Sequence, residues 1–274
     1  MAVELSRLNP SWRKFFVSLW AGWKITSNWT EPFIFFIYLL FKPLSSVLIL
    51  VVMFYVITGS FSGEQLLFLY VGNAFFSIVR SGISAAWVIA EDRDWYETIK
   101  SVYTSPGSYL SHVLGRTSAE FLFSTFSVLV LLLAGSYFLR LPLGIHLRLL
   151  IFTIPLILLV TSILALFFSA IALFAGHGGE FIVEGSSAFI YLFSGIIFPA
   201  KVLPPILKEL ALANPLTHMA NLFRASLKVG PLPNTQIIWL YILSFVLLFV
   251  GVLFFNWSFR LALKLGILDR KAFH

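Results

Sequence analysis

Six stretches of this chain are each long and apolar enough to cross a lipid bilayer as an α-helix. They lie at residues 33–57, 66–90, 119–139, 149–175, 181–198 and 237–259. A helix needs about 20 residues to span the roughly 30 Å hydrocarbon core, and only helices and closed barrels satisfy their backbone hydrogen bonds there. The sequence therefore predicts an all-α integral membrane protein with six transmembrane helices, in a single transmembrane domain over residues 1–274.

Composition supports a hydrocarbon environment. Of the 274 residues, 59% are hydrophobic and 11% are charged, whereas a soluble domain carries about 25% charged residues. A soluble fold of this length needs a more polar exterior than this sequence can supply. The net charge of +7 comes from Lys and Arg residues scattered around the apolar stretches. That scatter favours the headgroups of the lipid bilayer as the partner and argues against nucleic acid.

Residues 11–28 predict an amphipathic helix that lies in the membrane interface. At about 100° per residue, its aromatic and apolar residues share one face and its cations share the other. The apolar face comprises Trp12, Phe16, Leu19, Trp20 and Trp23, and the cationic face comprises Arg13, Lys14 and Lys24. The alternative is an amphipathic helix packed on the protein, and the two interpretations are compatible.

The distribution of Lys and Arg predicts that both termini are cytoplasmic. With the N-terminus inside, eleven cations lie in cytoplasmic segments and six lie outside. The eleven are Arg7, Arg13, Lys14, Lys24, Arg93, Lys100, Arg116, Arg260, Lys264, Arg270 and Lys271, and the six are Arg140, Arg148, Lys201, Lys208, Arg224 and Lys228. We expect a multi-pass protein of the cell membrane.

Residues 199–232, between the fifth and sixth stretches, are too apolar for an ordinary loop and too rich in proline for one helix. Pro199, Pro204, Pro205 and Pro215 interrupt the segment. We predict short helices that re-enter the membrane, because irregular backbone is tolerated at that depth where protein or water surrounds it. A loop folded onto the outer leaflet is the alternative.

Motifs for catalysis or cofactor binding are absent from the sequence. It has no cysteine, no G-x-x-x-x-G-K-[ST] phosphate loop, no H-x-x-x-H pair and no G-x-S-x-G elbow. We therefore predict that the chain itself binds no metal, cofactor or ATP and is not an enzyme.

Two cations, Lys42 and Arg80, fall inside predicted spans. A charge at the centre of a span costs about 3 kcal/mol on insertion scales and usually faces the bundle interior or a water-filled path. Glu120 and Glu184, near cytoplasmic ends of spans, are candidates to pair with cations across helices. Structural pairing or snorkelling is the alternative to a role in a transport path.

Residues 91–106, between the second and third stretches, carry the densest charge in the chain. Trp95, Ile99 and Val102 are predicted to share one helical face beside several charged residues, and Pro106-Gly107 ends the helix. An amphipathic helix with exposed aromatic residues on the cytoplasmic side is typical of a docking surface. A solvated loop helix is the alternative.

Two sets of residues resemble the membrane-spanning permease subunits of type-2 ATP-binding-cassette (ABC) exporters. The first runs from Glu91 through Ser105-Pro106 to Gly115-Arg116 and is similar to the coupling region of that family. The second is similar to the motif that follows the family's fifth span: Gly195, Phe198-Pro199, Leu203-Pro204, Asn214-Pro215-Leu216 and Arg224. The interfacial helix and the six stretches agree with the layout of the family.

The resemblance implies a permease that pairs with a second copy or a close relative and docks a separate ATPase, which would hold the ATP and Mg²⁺. Its coupling residues would be Glu91, Arg93, Trp95, Tyr96, Glu97, Ile99 and Lys100. Many members have Gly-Thr where this chain has Trp95–Thr98. The substrate stays open among hydrophobic, lipid-like, drug-like and glycan molecules.

Two other functional classes predict different sequence patterns. An ion-coupled secondary transporter should show intramembrane acidic or histidine sites and often repeated halves. A membrane-embedded enzyme should show clustered polar catalytic groups at one interface. The sequence shows neither pattern, and the two motifs favour the exporter permease.

Overall fold

A computed structural model describes residues 9–28, 30–59, 63–175, 179–231 and 237–269 of the chain. This part is helical and contains no β-strand, which confirms the all-α prediction. The α-helices are, in order, α1 Pro10–Ser27, α2 Pro32–Thr58, α3 Glu64–Ile83, α4 Ala85–Ala90, α5 Ile99–Thr104, α6 Tyr109–Phe138, α7 Leu147–Ala172, α8 Gly179–Phe193, α9 Pro205–Ala213, α10 Pro215–Ser226 and α11 Ile237–Lys264.

Five helices of the described chain are long and apolar enough to cross a membrane. They are α2, the continuous run Glu64–Trp95 that contains α3 and α4, α6, α7 and α11. The predicted fifth span forms α8, which has 15 residues and is only about 22 Å long at 1.5 Å per residue. The count of six spans therefore stays a prediction.

Local sequence explains where several helices begin and end. Pro32, Pro205 and Pro215 occupy the first turns of α2, α9 and α10, where proline's fixed φ and missing N–H do no harm. Gly59 ends α2 in the left-handed conformation, with φ of 71°. Pro43 lies inside α2.

The core has two clusters at opposite ends of the bundle. One gathers Tyr70, Phe75, Leu131, Leu156 and other side chains around α3, α6, α7 and α10. The other surrounds residues 91–106 and includes Ile89, Ile99, Tyr109 and Phe255. Large apolar side chains elsewhere on α2, α6, α7 and α11 are exposed, as expected where lipid is the solvent.

Helix α1 forms where the sequence predicts an interfacial amphipathic helix, and it packs on α6. Its aromatic residues Trp12, Phe16, Trp20 and Trp23 are exposed. The opposite face, with Lys14, Ser18 and Gly22, is buried. One face is thus available to the membrane interface while the other packs on protein.

The segment between α8 and α11 is broken into short helices, as its prolines predict. A 3₁₀ turn at Ala200–Val202 leads to α9 and then to α10. Helix α10 is buried along most of its length and packs against α3 and α7. Its C-terminal end is bound to the segment between α6 and α7, where the Gly144 and His146 amides donate to the Leu227 and Ser226 carbonyls at 3.1 and 2.8 Å. Whether this segment enters the membrane stays a prediction.

Candidate functional site

Residues 91–106, the predicted coupling segment, continue from α4 without a loop. Helix α4 runs into a π-helical turn, Glu91–Trp95, and α5 begins at Ile99. The Tyr96 amide donates to the Glu91 carbonyl and the Thr98 amide to the Asp92 carbonyl, both at 2.8 Å. Between these bonds Glu97 adopts a φ of 51°, an uncommon conformation for a residue with a side chain. The chain therefore turns sharply between the span and α5.

Asp92 is the centre of a buried polar network that joins this turn to α6. Its carboxylate is almost completely buried, with the residue only 1% exposed. Oδ1 accepts from Arg116 Nη1 at 2.9 Å, and Oδ2 accepts from Tyr109 Oη at 3.0 Å. Oδ2 also lies 2.7 Å from His112 Nε2. A buried charge is tolerated only when it is paired and hydrogen-bonded in this way.

The network extends in two directions from Asp92. Arg116 also pairs with Glu91 through Nη2, so its guanidinium lies between two carboxylates. His112 Nδ1 lies 2.7 Å from Ser18 Oγ on α1, and a hydroxyl can serve either tautomer of the ring because it both donates and accepts. The end of the second span, α6 and α1 are thus joined by one buried chain of polar contacts.

Lys14 provides a second link between α1 and the coupling segment. Its Nζ donates to the carbonyls of Val102, Ser105 and Gly107, at 2.6, 3.3 and 3.0 Å. These carbonyls lie at the C-terminal end of α5 and in the turn that follows it, where carbonyls lack helical partners and a cation is favourable. Burial lowers the pKa of this amine below its ordinary value. The prediction that Lys14 reaches the lipid headgroups is therefore wrong, whereas Arg13 and Lys24 are exposed.

Small residues let α1 lie directly against α6. A Cβ at Gly115 would stand 2.9 Å from Ser18 Cβ and would also press on the Phe15 carbonyl. A Cβ at Gly22 would stand 3.1 Å from Ala119 Cβ. This close approach brings Ser18 within hydrogen-bonding distance of His112.

The predicted coupling residues divide into an exposed and a buried group. Trp95, Tyr96, Glu97 and Lys100 are exposed, and Tyr103 joins them on the surface. The prediction that Trp95 and Ile99 share one helical face is wrong. Trp95 is 64% exposed and Ile99 only 3%, because the π-helical turn and the bend at Glu97 separate Trp95 from α5.

Glu91 and Arg93 lie on the inner side of the coupling segment. Glu91 is partly buried and pairs with Arg116, while buried Arg93 forms two hydrogen bonds with Asp94, at 3.0 and 3.1 Å. Together with Ile99, they support the segment rather than contribute to its exposed surface.

The sequence interpretation missed the central role of Asp92 and its partners Tyr109, His112 and Ser18. A signal was available, since Tyr109, His112 and Arg116 follow a spacing of three and four residues and so share one helical face. Such a polar stripe at the start of an apolar helix, shortly after the adjacent Glu91 and Asp92, indicates a buried ionic cluster.

Arg224 organises the second motif. It is 3% exposed, and its Nη2 donates to the Gly195 and Ile196 carbonyls just beyond α8, at 3.1 and 3.0 Å. Nε donates to the Phe68 carbonyl at 3.3 Å, and Cζ lies 3.5 Å from the centroid of the Phe68 ring. A Cβ at Gly72 would stand 2.7 Å from the Ile196 carbonyl oxygen and collide with the guanidinium. Arg224, on α10, therefore links the turn after α8 to α3.

The remaining motif residues shape the backbone. Gly195 has a φ of 62°, which favours glycine. Asn214 caps α10 by accepting from the Leu216 amide at 3.0 Å, and its Nδ2 donates to Ser194 Oγ at 3.1 Å. Phe198, Pro199 and Pro204 are exposed in the turns that lead to α9, and Pro215 starts α10.

Arg80 pairs with Glu184 across α3 and α8, with Nη2 donating to Oε1 at 2.6 Å. Both side chains remain accessible, at 44% and 66% exposure. They border a cleft of about 290 Å³ that also reaches Glu91, Arg116 and Glu120. The side chain of Lys42, the other predicted intramembrane cation, lies outside the described part of the structure. Within the described ranges, no three His, Asp or Glu side chains come together as metal ligands.

Comparison with known proteins is consistent with this architecture. The family model for the ABC-2 type transporter matches residues 13–228, from α1 to the end of α10. A search of curated proteins finds no match. The matched range contains the coupling segment, the Asp92 network and the Arg224 motif. Because the match covers well over half of the chain, this protein belongs to the ABC-2 type transporter family, as the membrane domain that forms the permease component.

Proposed function

We propose that this permease subunit works in an ATP-driven exporter and docks a separate ABC ATPase through an exposed surface of the coupling segment. This docking surface comprises Trp95, Tyr96, Glu97, Lys100 and Tyr103. The observation that carries the proposal is the combination of exposed aromatic residues with a buried network directly beneath them. Exposed aromatic side chains are typical anchors of protein interfaces.

The buried network would transmit movement from the ATPase to the spans. A displacement of α5 must move α1 and α6 as well, because Lys14 holds the end of α5 and Asp92 holds α6. Breaking a buried ion pair costs about 3–5 kcal/mol, so the segment moves as one body with the bundle. ATP and Mg²⁺ bind the partner ATPase. Because they bind its open and closed states with different affinity, they shift the equilibrium between these states, and the permease follows.

A second permease copy would complete the transport path. Arg80 lies near the middle of the run Glu64–Trp95, and its pair with Glu184 is accessible on the surface of the single chain. A charge facing lipid at that depth costs about 3 kcal/mol. Contact with another copy, or with water between two copies, avoids this cost. The path would lie in the cell membrane with both termini cytoplasmic, and its substrate would be a hydrophobic, lipid-like, drug-like or glycan molecule.

The double variant Trp95→Ala with Glu97→Ala tests the docking surface. We expect it to insert normally in the membrane but to lose its ATPase and its transport, because both changes remove exposed groups and leave the Asp92 network intact. The amount of co-purified ATPase per permease measures the effect. Trp257→Ala, at an exposed tryptophan of α11, is the matched control. If the double variant retains the ATPase as well as Trp257→Ala does, the docking assignment is wrong.

A further inference from the structure

The cleft beside the Arg80–Glu184 pair brings together residues from four parts of the bundle. Thr26 comes from α1, Arg80 and Trp87 from the second span, Glu120 from α6 and Glu184 from α8. Helix α6 begins at Tyr109, and Glu120 lies eleven residues further along it, about 16 Å from Tyr109 along the helix axis. The cleft therefore lies in the half of the membrane domain that carries the coupling segment.

The charges around the cleft do not balance. Three carboxylates, Glu91, Glu120 and Glu184, face two guanidinium groups, Arg80 and Arg116. Arg80 pairs with Glu184 and Arg116 with Glu91. Among the described residues, the partner of Glu120 is a neutral hydroxyl, since Oε1 accepts from Thr26 Oγ1 at 2.7 Å. Both guanidinium groups thus already lie against carboxylates, since Arg116 also binds Asp92 outside the lining, and Glu120 adds a negative charge whose described partner is neutral.

Besides the charged groups, Gly22, Thr26 and Ser84, the lining is apolar. Ile25, Trp87, Val88 and Val183 form the wall between the charged groups. An indole face attracts a cation that approaches within about 6 Å of its centre, and aliphatic side chains accept a hydrocarbon tail. The cleft thus combines the Glu120 carboxylate, which lacks a cationic partner among the described residues, with an aromatic ring and an apolar wall.

We propose that this cleft binds the cationic headgroup of an amphiphile, with Glu120 as its counter-charge and Trp87 against its apolar part. That this amphiphile is a transported substrate rests on the exporter function proposed above. An anionic headgroup is disfavoured because both guanidinium groups already have carboxylate partners, and because Glu120 would repel it. The site distinguishes headgroups by the sign of their charge.

Two ions of the same shape and opposite charge test the proposal directly. Binding of tetraphenylphosphonium and of tetraphenylborate is measured on the full chain in lipid nanodiscs by equilibrium dialysis, with empty nanodiscs subtracted. We expect saturable binding of the phosphonium and at least about tenfold weaker binding of the borate, because one carboxylate lacks a counter-charge. Equal binding of the two ions would overturn the proposal.

Variants identify the group responsible. Glu120→Gln keeps the shape and removes the charge, and we expect it to weaken phosphonium binding about tenfold. Glu209→Gln, at an exposed site of α9, is the control for removing a carboxylate elsewhere. Each variant is first compared with the wild type for thermal stability and elution volume.

The outcomes separate this proposal from the exporter function. Unchanged binding in Glu120→Gln, or an equal loss in Glu209→Gln, would show that the charge of Glu120 does not hold the ligand and would refute the cation site. The assay contains no ATPase. Phosphonium binding therefore stands if no ATPase partner exists, and a confirmed partner does not rescue a cleft that fails to bind.

Discussion

Replacing Asp92 by asparagine should detach the coupling segment from the bundle. The change keeps the size of the side chain and removes its charge. Asp92 is the common partner of Tyr109, His112 and Arg116, so one substitution weakens three contacts to α6. The amide that replaces the carboxylate also brings two N–H donors into a site where the neighbouring groups are mostly donors themselves.

The magnitude follows from the burial of the network. Removing one partner of a buried ion pair costs about 3–5 kcal/mol. Arg116 keeps its second partner, Glu91, so we expect the lower end of that range, about 3 kcal/mol. At about 1.4 kcal/mol for each factor of ten, the equilibrium for local opening should rise by about 100-fold.

Hydrogen exchange measures this opening without unfolding the whole protein. In Asp92→Asn, backbone amides of residues 96–107 should exchange about 100-fold faster than in the wild type. Amides of α7 should be unaffected, and Glu209→Gln should behave as the wild type. A rise of less than about threefold in residues 96–107 would refute the claim that Asp92 anchors the segment.

Three further substitutions test other contacts. Gly115→Ala should destabilise the protein by about 1–3 kcal/mol because α1 and α6 leave no space for a methyl group. Its control, Gly185→Ala, meets no atom within 4 Å and should be neutral. Thermal unfolding in nanodiscs compares the two variants, and equal stability would contradict the close packing of α1 on α6. Arg224→Met leaves the carbonyls beyond α8 without their donor and should cost about 3 kcal/mol in the same assay, whereas Arg148→Met, at an exposed site, should not. Arg80→Leu should insert well but lose transport in vesicles, and unchanged transport would leave this arginine a structural role only.

Much of the fold could be predicted because membrane burial imposes a simple pattern on the sequence. The apolar stretches mark α2, the second span, α6, α7 and α11, and prolines mark the starts of α9 and α10. The length of α8 was not predictable in this way. Ser194–Ile196 are buried, yet they form a turn, in which Arg224, distant in sequence, binds the carbonyls of Gly195 and Ile196.

The candidate site was predictable in place but not in detail. Charge density and the resemblance both indicated residues 91–106. Helical periodicity could not reveal that the π-helical turn points Asp92 inward and Trp95 outward. Lys14 illustrates the same limit, since it lies beside exposed Arg13 but is drawn into the protein by the carbonyls of α5. Long-range partners decide the orientation of such side chains.

Identifying what co-purifies with the tagged protein from gently solubilised native membranes tests the central claim most directly. The account predicts a soluble protein with a phosphate loop, present in equal amount to the permease and retained in more than one detergent. If no ATPase accompanies the protein in any detergent that preserves its fold, the proposed coupling is contradicted and an ion-coupled secondary transporter becomes the better hypothesis.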